Sequence, residues 1–327
     1  MKYAHTPVML KEVMEILNPQ LGQMFIDCTL GGGGYTLELA RRVGERGKVL
    51  AIDLDETAID NAKLQITNYK LQNIVLVHDN FKNLSKIIQK SFKDKTIKFD
   101  GVVFDLGLSS AQLEDRSRGF SFQLDAPLDM AFNQRTKNKE QRTEEIVNIY
   151  SENEIAQILY EYGEERYARR IAKGIVNSRK NKKIETTFGL VEIIRKAVPI
   201  QYIRNRKIHF ATRTFQALRI ATNDELNNLR EVLPQAVALL KKGGRLAIIS
   251  FHSLEDRIVK NFFKQESQDC LCPPEIFVCQ CQHKASLKII SFQKDEGGKK
   301  KFAVPSKEEI ANNPRARSAK MRAGEKK

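Results

Sequence analysis

Apolar residues recur along this chain at two spacings, and the order in which those spacings alternate predicts the architecture. Val8, Leu10, Val13, Met14 and Leu17 share one face of a helix that follows an entry turn at His5–Pro7 and is stopped by Pro19. Phe25 and Ile26 form a short apolar run ending in Asp27. Four glycines follow at Gly31–Gly34, after which Leu37, Leu39, Ala40 and Val43 resume the helical spacing. Val49–Asp53 is an unbroken apolar run closed by an acid, the pattern of a strand covered on both faces. A helix over Glu56–Tyr69, a strand over Ile74–Val77, a helix over Leu84–Phe92 and a fourth strand over Phe99–Leu106 continue the alternation. The prediction is an α/β fold on a doubly wound parallel sheet, with ligands outside the carboxyl ends of the strands.

The spacing changes after Leu113. Asp115–Asp129 (DRSRGFSFQLDAPLD) is too irregular for a helix and too apolar for a linker, so it reads as a functional loop mixing arginine and phenylalanine. From 143 to 200 only helical spacing appears: Ile146, Ile149, Ile155, Ile158 and Leu159, then the basic stretch Glu164–Val176, then Phe188–Val198. The expectation is an all-helical insertion over residues 113–205, which recognises the substrate and divides the α/β domain into 1–112 and 206–327. In the second part, Arg213–Ala221 and Asn223–Leu240 read as helices and Lys241–Gly244 as a helix stop. Arg245–Phe251 reads as a fifth strand, His252–Asp256 leads into a helix carrying Ile258, Val259, Phe262 and Phe263, and Leu287–Phe292 is a further strand. The basic stretch 314–322 (PRARSAKMR) reads as a C-terminal tail, either solvated or in contact with an anion.

At 327 residues, with 41% hydrophobic content and no long apolar run, the chain reads as a soluble cytoplasmic protein rather than a membrane-spanning one. Its N-terminus has acids and no cleavable apolar core, unlike a signal peptide. The excess of 55 Lys+Arg over 40 Asp+Glu, a net charge of +15, favours a polyanionic partner, and nucleic acid above all. Cys28 stands alone as a small hydrophobe, whereas Cys270, Cys272, Cys279 and Cys281 crowd one segment with His283 just after. Clustering without a secretion signal points to a metal sooner than to disulfides. The C-x-C spacing, however, is not the usual C-x-x-C zinc knuckle, so no metal is assigned and zinc is left open.

The glycine turn carries the chemistry. Strand, glycines, helix, strand and acid in that order form a nucleoside-binding unit, in which Asp53 can accept both hydrogen bonds of a ribose diol. A dinucleotide site wants G-x-G-x-x-G facing a pyrophosphate, and Asp27 just before the glycines would repel one. The same acid suits the ammonium of a methionine moiety, so S-adenosyl-L-methionine is the expected cofactor. Asp79 and Phe81, after the third strand, are placed to meet its adenine, although Phe81 reads as well as a core residue. Asp105, at the end of the fourth strand, is placed for substrate-facing chemistry. The alternatives are a dehydrogenase on the same unit and a non-catalytic RNA-binding factor that keeps a relic pocket.

Strings along the whole chain resemble the bacterial ribosomal RNA small subunit methyltransferase H family. They are HTPVML (5–10), DCTLGGGGY (27–35), DLGLSSAQLEDRSRGFSF (105–122), PLDM (127–130), YGEERYARRIA (162–172), RTFQALRI (213–220), GGRLAIISFHSLEDRIVK (243–260) and NPRARSAKMR (313–322). The resemblance implies a class I S-adenosylmethionine-dependent methyltransferase, a Rossmann-like sheet with a helical insertion. It also implies an activity: methylation of the exocyclic N4 of cytosine 1402 in 16S rRNA of the small ribosomal subunit. It implies cofactor contacts at Gly33, Gly34, Tyr35, Asp53, Phe81, Asp105 and Gln112. Tyr35 departs from the family, which usually has histidine after the glycines. The D/N/S-P-P-Y/F tetrapeptide of DNA amino-methyltransferases is replaced by DLGLSS, so no residue is assigned to activate the amine. For RNA, Arg116, Arg118, Arg213 and Arg257 lie nearest the motif loops, with Arg166, Arg169, Arg170 and Lys173 as phosphate contacts on the insertion.

Overall fold

Val49–Ile52 and Val102–Phe104 are buried without interruption, as strands sandwiched between helix layers must be. A computed structural model of the chain describes residues 7–133, 142–204, 208–276, 278–293 and 298–327, so His5 and Thr6 of the entry turn lie outside the described residues. The chain divides into two compact units. One is a sheet unit made of the segments up to Gly107 and from Leu226 onward, and the other is a helical unit, Leu108–Glu225.

The sheet unit begins with α1 (Leu10–Leu17), which buries Val13, Met14 and Leu17 and ends at Asn18 in the left-handed region before Pro19. Then come β1 (Met24–Asp27), α2 (Gly34–Val43), β2 (Lys48–Asp53), α3 (Glu56–Tyr69), β3 (Ile74–His78), α4 (Leu84–Ser91) and β4 (Phe99–Asp105). Asp55 caps α3, accepting the N–H of Thr57 at 3.0 Å. Every pairing among these four strands is parallel.

The helical unit holds α5 (Ser110–Glu114), α6 (Thr143–Ile149), α7 (Glu152–Gly163), α8 (Ala168–Arg179), α9 (Thr187–Ala197), α10 (Ile200–Arg204) and α11 (Thr212–Asn223). Its core gathers Ile146, Ile155, Leu159, Ile171, Ile175, Leu190 and Ile194. The unit is wider than the expected 113–205, because α11 adds Phe215, Ala217 and Leu218 to this same core instead of to the sheet. The exposed Ile149 is a terminal helical residue and not a core position.

The chain then returns through α12 (Glu225–Leu239), β5 (Leu240–Ser250), α13 (Ser253–Glu266), β6 (Leu287–Ile289), the small ribbon β7 (Phe292–Gln293) with β8 (Lys299–Lys300), α14 (Lys307–Asn312) and β9 (Lys320–Lys326). Among the described residues the main sheet has seven strands in the order β3-β2-β1-β4-β5-β9-β6. Two expectations are corrected here. The helix does stop before Lys241–Gly244, α12 ending at Leu239, but these residues already belong to β5, which starts at Leu240 and not at Arg245. The basic "tail" is not a tail: it makes a short 3-10 turn at Pro314–Ser318 and then becomes β9, antiparallel to both β5 and β6. Met321 and Ala323 are fully buried there, and Arg322 is neutralised by Asp256 at 2.7 Å. Basic residues in the stretch hid a strand with few apolar positions.

Candidate functional site

In the strand order, β1 and β4 are neighbours from which the chain winds away in opposite directions, so their carboxyl ends mark the topological switch point. Three acids converge on this end of the sheet unit: Asp27 from β1, Asp53 from β2 and Asp105 from β4. The glycine loop lies between β1 and α2. Gly33, at φ 80°, occupies the left-handed region that a side chain would strain, and starts α2. A Cβ on Gly34 would come within 2.5 Å of the Pro7 ring, so this glycine admits a neighbouring segment of the protein.

Asp27 turns out to serve the loop. It is fully buried, and its two oxygens accept the Thr36 hydroxyl at 2.7 Å and the Thr29 N–H at 3.1 Å. Burial pushes its carboxyl up to about 6 despite those bonds. It is therefore taken up by the loop and does not wait for an ammonium, contrary to the sequence reading.

Asp53 is the pin of the site. Its Oδ2 accepts the N–H of Gly31 and its Oδ1 the N–H of Asp55, both at 2.8 Å. Each oxygen keeps a second lone pair, and the residue is only half-buried, so a diol can still be accepted. Burial raises its carboxyl to about 6, opposed by those two amides. The Asp53 carbonyl accepts the Asp79 N–H at 3.1 Å, and Asp79 in turn accepts the Asn83 side-chain amide at 2.9 Å. Phe81 is half-buried with its ring edge-on to Phe104, 5.8 Å between centroids.

Asp105 is the open group. Its N–H donates to the Thr29 hydroxyl at 2.6 Å, tying β4 to the glycine loop, while its Oδ1 is buried and accepts no hydrogen bond. Desolvation, then the charges of Asp27, Glu255 and Glu309, raises its carboxyl well above the usual range. Its Oδ1, buried without a hydrogen-bond partner, is an acceptor that a cationic or N–H donor would satisfy, and such a donor would favour the charged form. Glu255 was missed from sequence. It is buried on α13 and accepts the amides of Phe251 at 2.9 Å and His252 at 3.3 Å. The signal was the H-x-x-E spacing after the fifth strand, a capping box with histidine as the cap.

Tyr35 is a core residue: it is 2% exposed and its hydroxyl donates to the Val8 carbonyl. Gln112 belongs to the helical unit, where it closes the capping box of α5 with Ser109. The sheet unit thus assembles Gly33, Gly34, Asp53, Phe81 and Asp105, with Tyr35 contributing its place at the start of α2.

The arginines divide sharply. Arg118 is 3% exposed and spends its guanidinium on the carbonyls of Ala131 and Phe132, both at 2.9 Å, so it stabilises the loop rather than meeting RNA. Arg213 is half-buried and holds the Glu164 carbonyl at 2.6 Å. Arg116 and Arg257 are exposed, as are Arg166, Arg169, Arg170 and Lys173 along α8 and just before it. The four clustered cysteines come together with every Sγ within 4.8 Å of the others, and none is in a disulfide. His283 stands apart, its Nε2–H donating to the Gln265 carbonyl at 3.1 Å.

Comparison with known proteins places this geometry in context. A family model described as the MraW methylase family matches residues 2–327. A protein of Halothermothrix orenii named ribosomal RNA small subunit methyltransferase H is 47% identical over 322 residues, 98% of each chain. Proteins of the same name from Finegoldia magna and Clostridioides difficile are 42% and 43% identical over 326 residues. These alignments span 100% of this chain and 99% and 100% of theirs.

Proposed function

The chain belongs to the MraW methylase family, and from that premise we propose that it is an S-adenosylmethionine-dependent methyltransferase acting on ribosomal RNA in the cytoplasm. Its target is the exocyclic N4 of cytosine 1402 in 16S rRNA, presented by the small ribosomal subunit. The observation that carries the cofactor assignment is Asp105 Oδ1, a buried acceptor without a donor, beside a glycine loop that Asp53 holds in place.

The residues present fit the cofactor. Asp53 has lone pairs left for the two ribose hydroxyls, and Phe81 presents an apolar surface for adenine. Asp105 Oδ1 accepts from the ammonium of the methionine moiety. S-adenosylmethionine, when bound, supplies an electrophilic methyl group on a sulfonium. The protein's part is to hold that methyl in line with the attacking nitrogen, and alignment of this kind can contribute about 7–11 kcal/mol to lowering the barrier. The target base must be unstacked first, which costs less in single-stranded RNA than in a duplex. Exposed Arg169, Arg170 and Lys173 on α8, with Arg116 and Arg257, supply the phosphate contacts. No helix among the described residues is long and apolar enough to cross a membrane.

The test is transfer of labelled methyl to isolated small subunits, followed by nucleoside analysis. N4-methylcytidine at position 1402 is expected. A protein that binds S-adenosylmethionine in calorimetry yet leaves no methyl on cytosine N4 sinks the reading, and nicotinamide binding would favour the dehydrogenase alternative.

A further inference from the structure

The connection from α13 to β6 is the least self-sufficient part of the sheet unit. Among its described residues from 264 to 286 none is buried, and Leu271, Ile276 and Val278 are left exposed. Its base is clamped: the Ser286 N–H donates to the Glu266 carbonyl at 2.8 Å, and Ala285 N–H to Asp269 at 3.2 Å. Beyond that clamp the described residues form no apolar core to order roughly twenty residues, a length at which structureless connections are uncommon.

What occupies the centre of the connection is sulfur. Cys270 Sγ lies 3.4 Å from Cys279 Sγ and 3.8 Å from Cys281 Sγ, and Cys279 and Cys281 are 3.6 Å apart. A disulfide would bring two of them to about 2.05 Å. A tetrahedral metal site made of four thiolates, with bonds of about 2.3 Å, sets its sulfurs about 3.8 Å apart. The spacings among Cys270, Cys279 and Cys281 belong to the second case, and Cys272 Sγ lies within 4.8 Å of all three. Backbone amides also point at the sulfurs: Leu271 N–H at Cys281 and Gln280 N–H at Cys272, both at 3.3 Å, and Cys272 N–H at Cys270 at 3.4 Å. Amides aimed at sulfur stabilise thiolates, and several thiolates this close need a cation among them.

We propose that Cys270, Cys272, Cys279 and Cys281 together bind a single zinc ion, and that this ion is the missing core of the α13–β6 connection. The unfamiliar C-x-C spacing is accommodated because amide–sulfur bonds tie the two arms to each other, Leu271 N–H to Cys281 and Gln280 N–H to Cys272. Thiolate-only tetrahedral coordination selects zinc or iron, and the proposal commits to zinc. The ion is structural, since all four positions are filled by protein and none is left for a water or substrate.

The full chain, purified from zinc-supplemented cells and exchanged against a weak chelator, should carry about one zinc and negligible iron by elemental mass spectrometry. Cys279→Ser and Cys281→Ser should lose it, while Cys28→Ser, outside the cluster, should keep it. Replacement by cobalt should give thiolate-to-metal charge-transfer bands and the intense visible bands of a tetrahedral site. To avoid reliance on variants that fail to fold, zinc can be displaced from the wild-type chain with a mercurial. Tryptic cleavage at the exposed Lys284 should then rise roughly tenfold. A metal-free folded chain with four titratable thiols, an iron-containing red protein, or cleavage indifferent to metal removal would each overturn the proposal.

Discussion

The N–H of Gly31 donates to Asp53 Oδ2 at 2.8 Å, so the acid that ends β2 and the glycine loop that follows β1 move as one piece. On the proposed function, the same carboxylate shapes the loop and receives the ligand.

Asp53→Ala should therefore weaken S-adenosylmethionine binding by more than the loss of a single contact. Hydrogen bonds to a charged group contribute about 1.5–3 kcal/mol each, so a drop of roughly 10- to 100-fold or more is expected in calorimetry. Asp53→Asn keeps one acceptor and should fall between. An affinity unchanged in a folded Asp53→Ala protein would remove Asp53 from the site.

The buried acids give opposite pH dependences for stability and binding. Asp27 and Asp53 are both raised from 3.8 to about 6 in the folded chain. The folded state then holds extra protons between those values, so this stabilisation is full below about 4 and is lost as pH rises through about 6. Asp27→Asn has no such loss. Its stability relative to wild type should improve on going from pH 4 to pH 7, by at most about 3 kcal/mol, in denaturant titrations. Cofactor affinity should run the other way, falling as pH drops below about 6 and Asp53 takes up a proton.

Tyr35→Phe separates core from site. Removing the hydroxyl leaves the Val8 carbonyl without its donor and should cost about 1–3 kcal/mol of stability. Affinity for S-adenosylmethionine should stay within a few-fold of wild type. A large loss of affinity at unchanged stability would return the Tyr35 side chain to the binding site.

Arg118 and Arg169 should fail in different assays. Arg118→Ala removes donors to two carbonyls in a buried loop and should lower the melting temperature. The pair Arg169→Ala and Lys173→Ala should leave melting unchanged, raise KM for small subunits and reduce the salt dependence of RNA binding by about two unit charges. Equal behaviour of the two variants would contradict the division between structural and surface arginines.

Much of this arrangement could be read before any coordinates. Apolar runs at Val49–Ile52 and Val102–Phe104 leave little but buried strands, and the acids that close them mark the ligand end. The charge on Asp27 was legible but its partner was not: whether a buried acid meets a ligand or a threonine depends on where Thr36 falls after a turn. Arg118 misled because its sequence neighbours are polar and irregular, while its partners are carbonyls 13 and 14 residues away. β9 was invisible because Lys320, Arg322 and Lys326 interrupt it, and only pairing on both sides and the Asp256 counterion make those positions tolerable. The cysteine cluster was seen, but spacing alone could not bring its two arms together.

The position of β9 has a consequence for biosynthesis. The strand that lies between β5 and β6 is made of residues 320–326, so it leaves the ribosome after both neighbours have been synthesised. Until then β5 presents an open apolar edge, and β6, three residues long, has no strand partner among the described residues. The first four strands can pair as they emerge, but closure of the sheet is a late event that spans the distance from Arg245 to Glu325. A nascent chain that has not yet delivered residues 320–326 would carry the glycine loop on a sheet with an exposed seam, a form open to chaperones and proteases.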